Sequence, residues 1–148
     1  EKDQEFELVA FVEDILSTFE QDVGLTAEVS RDHRVVLAPN AFSRVLTNLI
    51  SNGIKHGGEV QLIVRATTVM IIDNGPGIPE QQRSQIFQPF FRLDGSRSAV
   101  TGGSGLGLAI VDQLCQTHGW VIEVANATQK AASPGAKFTL SFVANSSA

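Results

Sequence analysis

The chain has 148 residues, a size suited to one domain of roughly 100–200 residues with one core and no second catalytic unit. Hydrophobic residues at 43% and charged residues at 18% exclude wholesale disorder, and a net charge of −5 argues against a nucleic-acid partner, which needs a dominant basic surface. A lone cysteine, Cys115, excludes an intrachain disulfide or a multi-cysteine zinc site and fits a reducing compartment, while no apolar run approaches the ~18 residues of a membrane span.

In chain order, Leu8, Val12, Ile15, Leu16 and Phe19 recur at helical spacing and predict a first helix over residues 7–20, with Gly24 beyond its exit. Residues 26–31 and 34–37 read as short strands. Pro39 and Asn40 then supply a helix start. From 41 to 56, Phe42, Val45, Leu46, Leu49, Ile50 and Ile54 fall on one face, so that helix packs on a core until Gly57-Gly58 ends it. Residues 59–65 alternate as a strand, and 68–72 form a β-branched run suited to a buried strand, joined as a hairpin through Ala66-Thr67. A turn-rich loop at 73–79, a short helical stretch at 79–87 and a polar Gly/Ser-rich segment at 92–104 follow. Residues 106–118 read as a helix, and strands at 120–126 and 136–143 flank a loop at 127–135. Strands and helices interleave without strict alternation, which predicts a mixed sheet with helices on one face.

Three segments carry chemistry. Asn48, Asn52 and Lys55 form a polar stripe opposite the apolar face of the second helix. Asparagine is poorly suited to a helix interior, and an amide oxygen can coordinate magnesium, although a solvated helix face has the same pattern. Asp73-Asn74-Gly75-Pro76-Gly77-Ile78-Pro79 sets a carboxylate at a strand end beside glycines, where it can accept from an exocyclic amine while a flat base approaches the backbone. A plain tight turn reads the same way. Gly102-Gly103-Ser104-Gly105-Leu106-Gly107 runs into an apolar helix whose free N–H groups favour phosphate oxygens, whereas a flexible linker would continue polar.

No Gly-Lys-Ser/Thr completes a P-loop, the glycine spacing is wrong for a dinucleotide fingerprint, and the His-Arg-Asp and Asp-Phe-Gly pair of eukaryotic protein kinases is absent. Phe87-Gln88-Pro89-Phe90-Phe91-Arg92 places three phenylalanines ahead of the polar segment. They read as core aromatics, or as the anchor of a lid carrying Arg92 and Arg97 to phosphate. His33, His56 and His118 offer no nucleophile-base pair.

In this order the segments resemble the ATP-binding catalytic domain of two-component sensor histidine kinases, within the gyrase, MutL and histidine kinase ATPase superfamily. Asn48 to His56 is similar to the N box, Asp73-x-Gly75-x-Gly77 to the first glycine box, Phe87 to Arg92 to the F box, and Gly103-x-Gly105-x-Gly107 to the second glycine box. The resemblance covers nearly the whole chain. It implies an α/β two-layer sandwich of the Bergerat type, a mixed sheet of about five strands under three helices, with ATP between the helical layer and a mobile lid.

The resemblance also implies roles. Asn52 would hold magnesium with Asn48 assisting, Lys55 and Arg97 would serve phosphoryl transfer, and His56 would border the nucleotide. Asp73 would bind the adenine amine, with Gly75, Gly77 and Ile78 shaping the base pocket. Arg92, Gly103, Gly105, Leu106 and Gly107 would face the phosphates. The acceptor histidine belongs to a separate upstream dimerisation domain and the phosphoryl group passes on to a response regulator. The chain, which opens at Glu1 without an initiator methionine or signal stretch, is expected to be a fragment, the cytoplasmic part of an inner-membrane sensor, touching neither nucleic acid nor membrane itself.

Hydrolysing ATPases of the superfamily, and the similar anti-sigma-type serine kinases, carry glutamate where Asn48 stands. Asparagine cannot serve as a base there, which favours transfer to a protein acceptor over a serine kinase or hydrolase; a non-catalytic nucleotide-sensing module is the remaining alternative. Two departures from the family pattern stand out. Gly53 occupies a usual alanine position, at about 1 kcal/mol of helix propensity, which predicts a locally softer helix. Ala38-Pro39-Asn40 replaces a usual Gly-Asp, changing a cap but no ligand.

Overall fold

A computed structural model describes residues 1–89, 91, 106–128 and 134–142. Five strands form the main sheet. In chain order the elements are β1 (Gln4–Glu7), α1 (Leu8–Leu16), β2 (Gly24–Ala27), β3 (Arg34–Leu37), α2 (Pro39–Gly57), β4 (Val60–Val64), β5 (Thr68–Asp73), α3 (Gly107–His118), β6 (Val121–Asn126) and β7 (Ala136–Ser141). The sheet runs β2-β4-β5-β7-β6, with β2 parallel to β4 and the other pairs antiparallel, so it is mixed as expected. β1 and β3 make a separate antiparallel pair.

Period-two burial sets the inner face. Val60, Leu62 and Val64 of β4 and Ala136, Phe138 and Leu140 of β7 are buried, and their neighbours are exposed or half-buried. Against that face α2 turns Phe42, Val45, Leu46, Leu49 and Ile50, all fully buried. Phe42 is central, with Phe142 edge-on at 5.3 Å, Trp120 edge-on at 5.9 Å and Phe11 tilted at 5.8 Å. Truncating such a side chain typically costs about 3–5 kcal/mol. Cys115 of α3 is buried as expected, and burial, with the Asp112 charge adding, pushes its thiol up to about 12, so it is a packing group with no thiolate character near neutral pH.

The local differences from expectation have physical reasons. Helix α1 starts after β1 because residues 4–7 pair with 34–37, and it ends at Leu16 because Ser17 and Thr18 hydroxyls take the Asp14 and Ile15 carbonyls at 2.7 Å. β2 begins at Gly24 instead of residue 26 because its register is dictated by β4, Gly24 opposite Gln61 and Ala27 opposite Val64. The expected helix over 79–87 is one 3-10 turn, Glu80–Gln82, followed by further turns. Those turns insert Ile86 into the core and set Phe87 edge-on to Phe138 at 6.3 Å. The β4–β5 hairpin closes as predicted, Arg65 N–H donating to the Thr68 carbonyl at 2.8 Å.

Candidate nucleotide-binding site

The loop after β5 meets the C-terminal end of α2, and the start of α3 meets the middle of that helix at Asn48. Pro39 at the first position starts the helix with a preset φ, and its apolar face fixes its rotation on the sheet. Asn48 and Asn52 are thereby half-buried at the border of the packed face, a correction to the expectation that they lie opposite it; Lys55 and His56 are exposed. Asn48 leans toward the start of α3, its Oδ1 being 4.0 Å from where a Gly107 β-carbon would lie. Its Nδ2 is buried and has no hydrogen-bond partner among the described residues, an orphaned polar group of the kind that marks a site awaiting a ligand or water.

Asp73 ends β5 and is 6% exposed, the one buried charged side chain among the described residues. Its Oδ1 accepts the Gly75 N–H at 2.9 Å and the Ala136 N–H at 3.2 Å. Two backbone donors on one oxygen orient the carboxylate and leave Oδ2 for an amine. This packing depends on glycines. A β-carbon on Gly57 would sit 2.8 Å from Asp73 Oδ1, and one on Gly75 would sit 2.6 Å from the His56 carbonyl oxygen, so α2 ends pressed backbone to backbone on the loop. Gly77 has a left-handed φ of +80°, and its added β-carbon would meet Asn126 Oδ1 at 2.8 Å. Ile78 is buried, its N–H 3.4 Å from the same Asn126 oxygen.

His56 follows Lys55 on the rim. Desolvation, together with the Lys55 charge and against the Asp73 carboxylate, holds its imidazolium below the usual range, so the ring is neutral near pH 7. Leu106 precedes α3, and α3 begins at Gly107 with no side-chain cap and no acidic residue in its first turn. The first N–H groups of a helix have no intrahelical acceptor, and among the described residues no side chain caps these, so they can receive an anion. Arg92, Arg97, Gly103 and Gly105, and with them the expected lid, lie outside the described residues.

The donor set suits magnesium. Carboxamide oxygens of Asn52 and Asn48 are hard neutral ligands, Asn48 lying beside the start of α3, and this ion commonly takes few protein ligands with water and phosphate completing its shell. Gly53 serves packing: it is buried, and a β-carbon there would lie 2.9 Å from Val60 Cγ2, so its absence lets α2 sit close on β4.

Sequence reasoning missed the back wall. Gly135, at φ +73°, donates its N–H to the Gly75 carbonyl at 2.8 Å, Ala136 supports Asp73, and Asn126 supports Ile78. Only Pro134-Gly135 gave a local signal, and that signal reads simply as a turn.

The profile of the family described as histidine kinase-, DNA gyrase B- and HSP90-like ATPases matches residues 38–146. The chain belongs to this family of ATP-binding domains. It is 42% identical over 89 residues to the sensor histidine kinase CpxA of Escherichia coli (strain K12), covering 56% of this chain and 20% of that protein. Its fold is similar to the catalytic domain of histidine kinase ThkA, with TM-score 0.77, 25% identity and coverage of 95% and 94% of the two chains. It is likewise similar to the mycobacterial sensor histidine kinase MprB, with TM-score 0.75, 26% identity and coverage of 93% and 95%. The expected fold, a two-layer sandwich of histidine kinase catalytic type, is the one observed. The chain spans about a fifth of the full length of curated relatives such as CpxA and RstB.

Proposed function

We propose that this domain binds Mg-ATP and delivers the γ-phosphoryl group to a histidine on a separate dimerisation domain of the same protein, which then serves a response regulator. The observation that carries the reading is the buried Asp73 carboxylate, held by two backbone amides on one oxygen where the end of α2 meets the glycine-rich loop after β5.

Asp73 accepts the exocyclic amine of adenine, and Gly75 and Gly77 shape the base pocket by letting their loop pack against His56 and Asn126, with Ile78 beside it. The neutral His56 borders the nucleotide without adding charge. Asn52 and Asn48 would hold magnesium, which supplies charge neutralisation across the phosphates. Amides at Leu106 and Gly107 receive phosphate oxygens, and Lys55 adds a mobile positive charge. Arg92, Arg97, Gly103 and Gly105 are assigned to the phosphate side by the family resemblance. Catalysis then consists of positioning and electrostatic stabilisation, with the nucleophile supplied by the acceptor domain. Asn48 has no basic lone pair to activate water, which protects the bound nucleotide from hydrolysis. In the whole protein this domain is the cytoplasmic part of an inner-membrane sensor. Among the described residues no helix is long and apolar enough to cross a membrane.

The test is to mix this chain with its own dimerisation domain and γ-labelled ATP. The expected product is a phosphoprotein whose label is lost in acid and kept in alkali, the behaviour of a phosphoramidate. An acid-stable label would indicate a serine kinase, and nucleotide binding with no label would indicate a sensing module.

A further inference from the structure

We propose that Glu1 is a positioning residue for the nucleotide site, holding α2 from its N-terminal end; the proposal rests on the reading of α2 as the magnesium- and phosphate-facing helix. Helix α2 does not cap itself. Its N-cap residue is Ala38, no side chain of the cap position bonds to it, and its first turn contains no acidic residue. The first intrahelical bond runs from Phe42 N–H to the Ala38 carbonyl at 2.9 Å. Pro39 has no N–H to satisfy, which leaves the amides of Asn40 and Ala41 without an intrahelical acceptor.

Glu1 satisfies both. Its Oε2 accepts the Asn40 N–H at 2.7 Å and its Oε1 accepts the Ala41 N–H at 3.0 Å, one carboxylate oxygen to each amide. The arrangement is a capping interaction supplied from 39 and 40 residues away, and it places negative charge on the positive end of the helix. The β1–β3 ladder brings it there, because Gln4 pairs with Leu37 and the antiparallel strand continues outward past Ala38 toward the helix start.

A second hold lies on the same strand. Phe6 stacks on Phe11 at 4.2 Å and tilts against Phe42 at 6.2 Å, so residues 1–7 grip the first turn of α2 through a charge at Asn40 and Ala41 and through a ring at Phe42. Asn48 and Asn52 stand 8 and 12 residues beyond Asn40 on one uninterrupted helix, about 12 and 18 Å along its axis. Asn48 also faces the start of α3. The apolar face of α2 sets its rotation, and holding the first turn reduces the fraying and tilt left at that end, and with it the freedom with which both carboxamides are presented. Glu1 touches no nucleotide and acts through the helix. Linkage makes the effect reciprocal, so a nucleotide that orders α2 must strengthen the Glu1 contact by the factor with which Glu1 strengthens nucleotide binding.

The experiment compares the parent chain with Glu1→Ala and Glu1→Gln, using Lys2→Ala as a control for charge on the entering strand. Amide hydrogen exchange is read at Asn40 and Ala41, and Mg-ATP affinity by calorimetry. Glu1→Ala should speed exchange of those two amides about fivefold, the size of an ordinary lost cap. Amides of the β1–β3 ladder should keep their protection, which checks that the strand remains docked. Affinity for Mg-ATP should fall about two- to threefold, with Glu1→Gln between Glu1→Ala and the parent and Lys2→Ala like the parent. Saturating Mg-ATP should slow exchange at Asn40 and Ala41 in the parent and lose that effect in Glu1→Ala. Unchanged exchange in Glu1→Ala would overturn the cap, and faster exchange with unaltered affinity would overturn the positioning role. A parent chain that fails to bind Mg-ATP would instead overturn the site reading, and the positioning role with it, while exchange in Glu1→Ala still reports the cap.

Discussion

Asp73 and Gly135 meet backbone to backbone: a β-carbon on Gly135 would sit 2.2 Å from the Asp73 carbonyl oxygen. Gly135 also holds a left-handed φ of +73°. Gly119 provides the matched comparison, since its φ is +76° and nothing lies within 4 Å of an added β-carbon. Gly119→Ala should therefore cost only the left-handed penalty of about 1–2 kcal/mol. Gly135→Ala should cost more than about 3 kcal/mol, because backbone must also move, and the displaced Ala136 amide should loosen Asp73. Denaturant unfolding of both variants checks the contrast, and equal losses would show that the contact is not tight.

Asp73→Asn separates fold from recognition. An asparagine oxygen can still accept the Gly75 and Ala136 amides, so the melting temperature should stay close to the parent's. Its NH2 would then replace the free carboxylate oxygen and face another donor on adenine, a mismatch of about tenfold or more in affinity. Calorimetry with ATP, alongside a thermal melt, reads both quantities. A variant that binds ATP as tightly as the parent would remove Asp73 from the base pocket.

Helix α2 and the β4–β5 hairpin were legible in the sequence because each buries one face over many residues, so periodicity of about 3.6 or 2 shows through. β1 was not. Its four residues are nearly all exposed and pair with a strand 30 positions away, leaving no alternation to read. The same holds for the site. Asn48, Asn52 and Asp73 announce themselves as polar residues set against apolar runs, whereas Gly135, Ala136 and Asn126 act through backbone groups and a loop contact whose partner lies about 50–60 residues distant. The stretch over 79–87 had helical composition, but burying Ile86 and packing the half-buried Phe87 on Phe138 took precedence over regular helix.

Asn52→Ala should abolish most of the gain that magnesium gives to ATP binding, since it removes a hard oxygen ligand without touching the base pocket. ATP affinity with excess chelator should be nearly unchanged, and affinity in magnesium should fall about tenfold. Titrations with and without chelator resolve the two. An equal loss under both conditions would mean that Asn52 contacts the nucleotide and not the ion.

The pH dependence follows from His56, whose pKa in the folded chain lies below the ordinary 6.5. Folding thus favours its neutral form, and protonation favours the unfolded chain. The sign is therefore fixed. Stability is unaffected above the unfolded value, falls as pH drops below it, and levels off beneath the folded value. Denaturant midpoints between about pH 7.5 and pH 5 should decline less steeply for His56→Gln than for the parent. Parallel curves would show that His56 is solvated as freely as in the unfolded chain.

On the proposed reading, Asn48 decides the fate of the bound nucleotide. A carboxamide has no proton-accepting lone pair near neutral pH, so a water beside the γ-phosphate gains no base from α2. The isolated domain should accordingly release phosphate from ATP only slowly, although it binds the nucleotide. Asn48→Glu replaces the carboxamide with a carboxylate one methylene longer, on a half-buried turn that faces the start of α3. General-base assistance typically contributes about 10²–10⁴-fold when well placed; an unrefined placement should still raise phosphate release severalfold. Asn48→Ala supplies the control, since it removes the carboxamide without adding a base and should hydrolyse no faster than the parent. Phosphate release is followed at saturating Mg-ATP in all three. Rapid turnover by the parent would place another base at the site and overturn the assignment of this domain to phosphoryl transfer onto a protein acceptor.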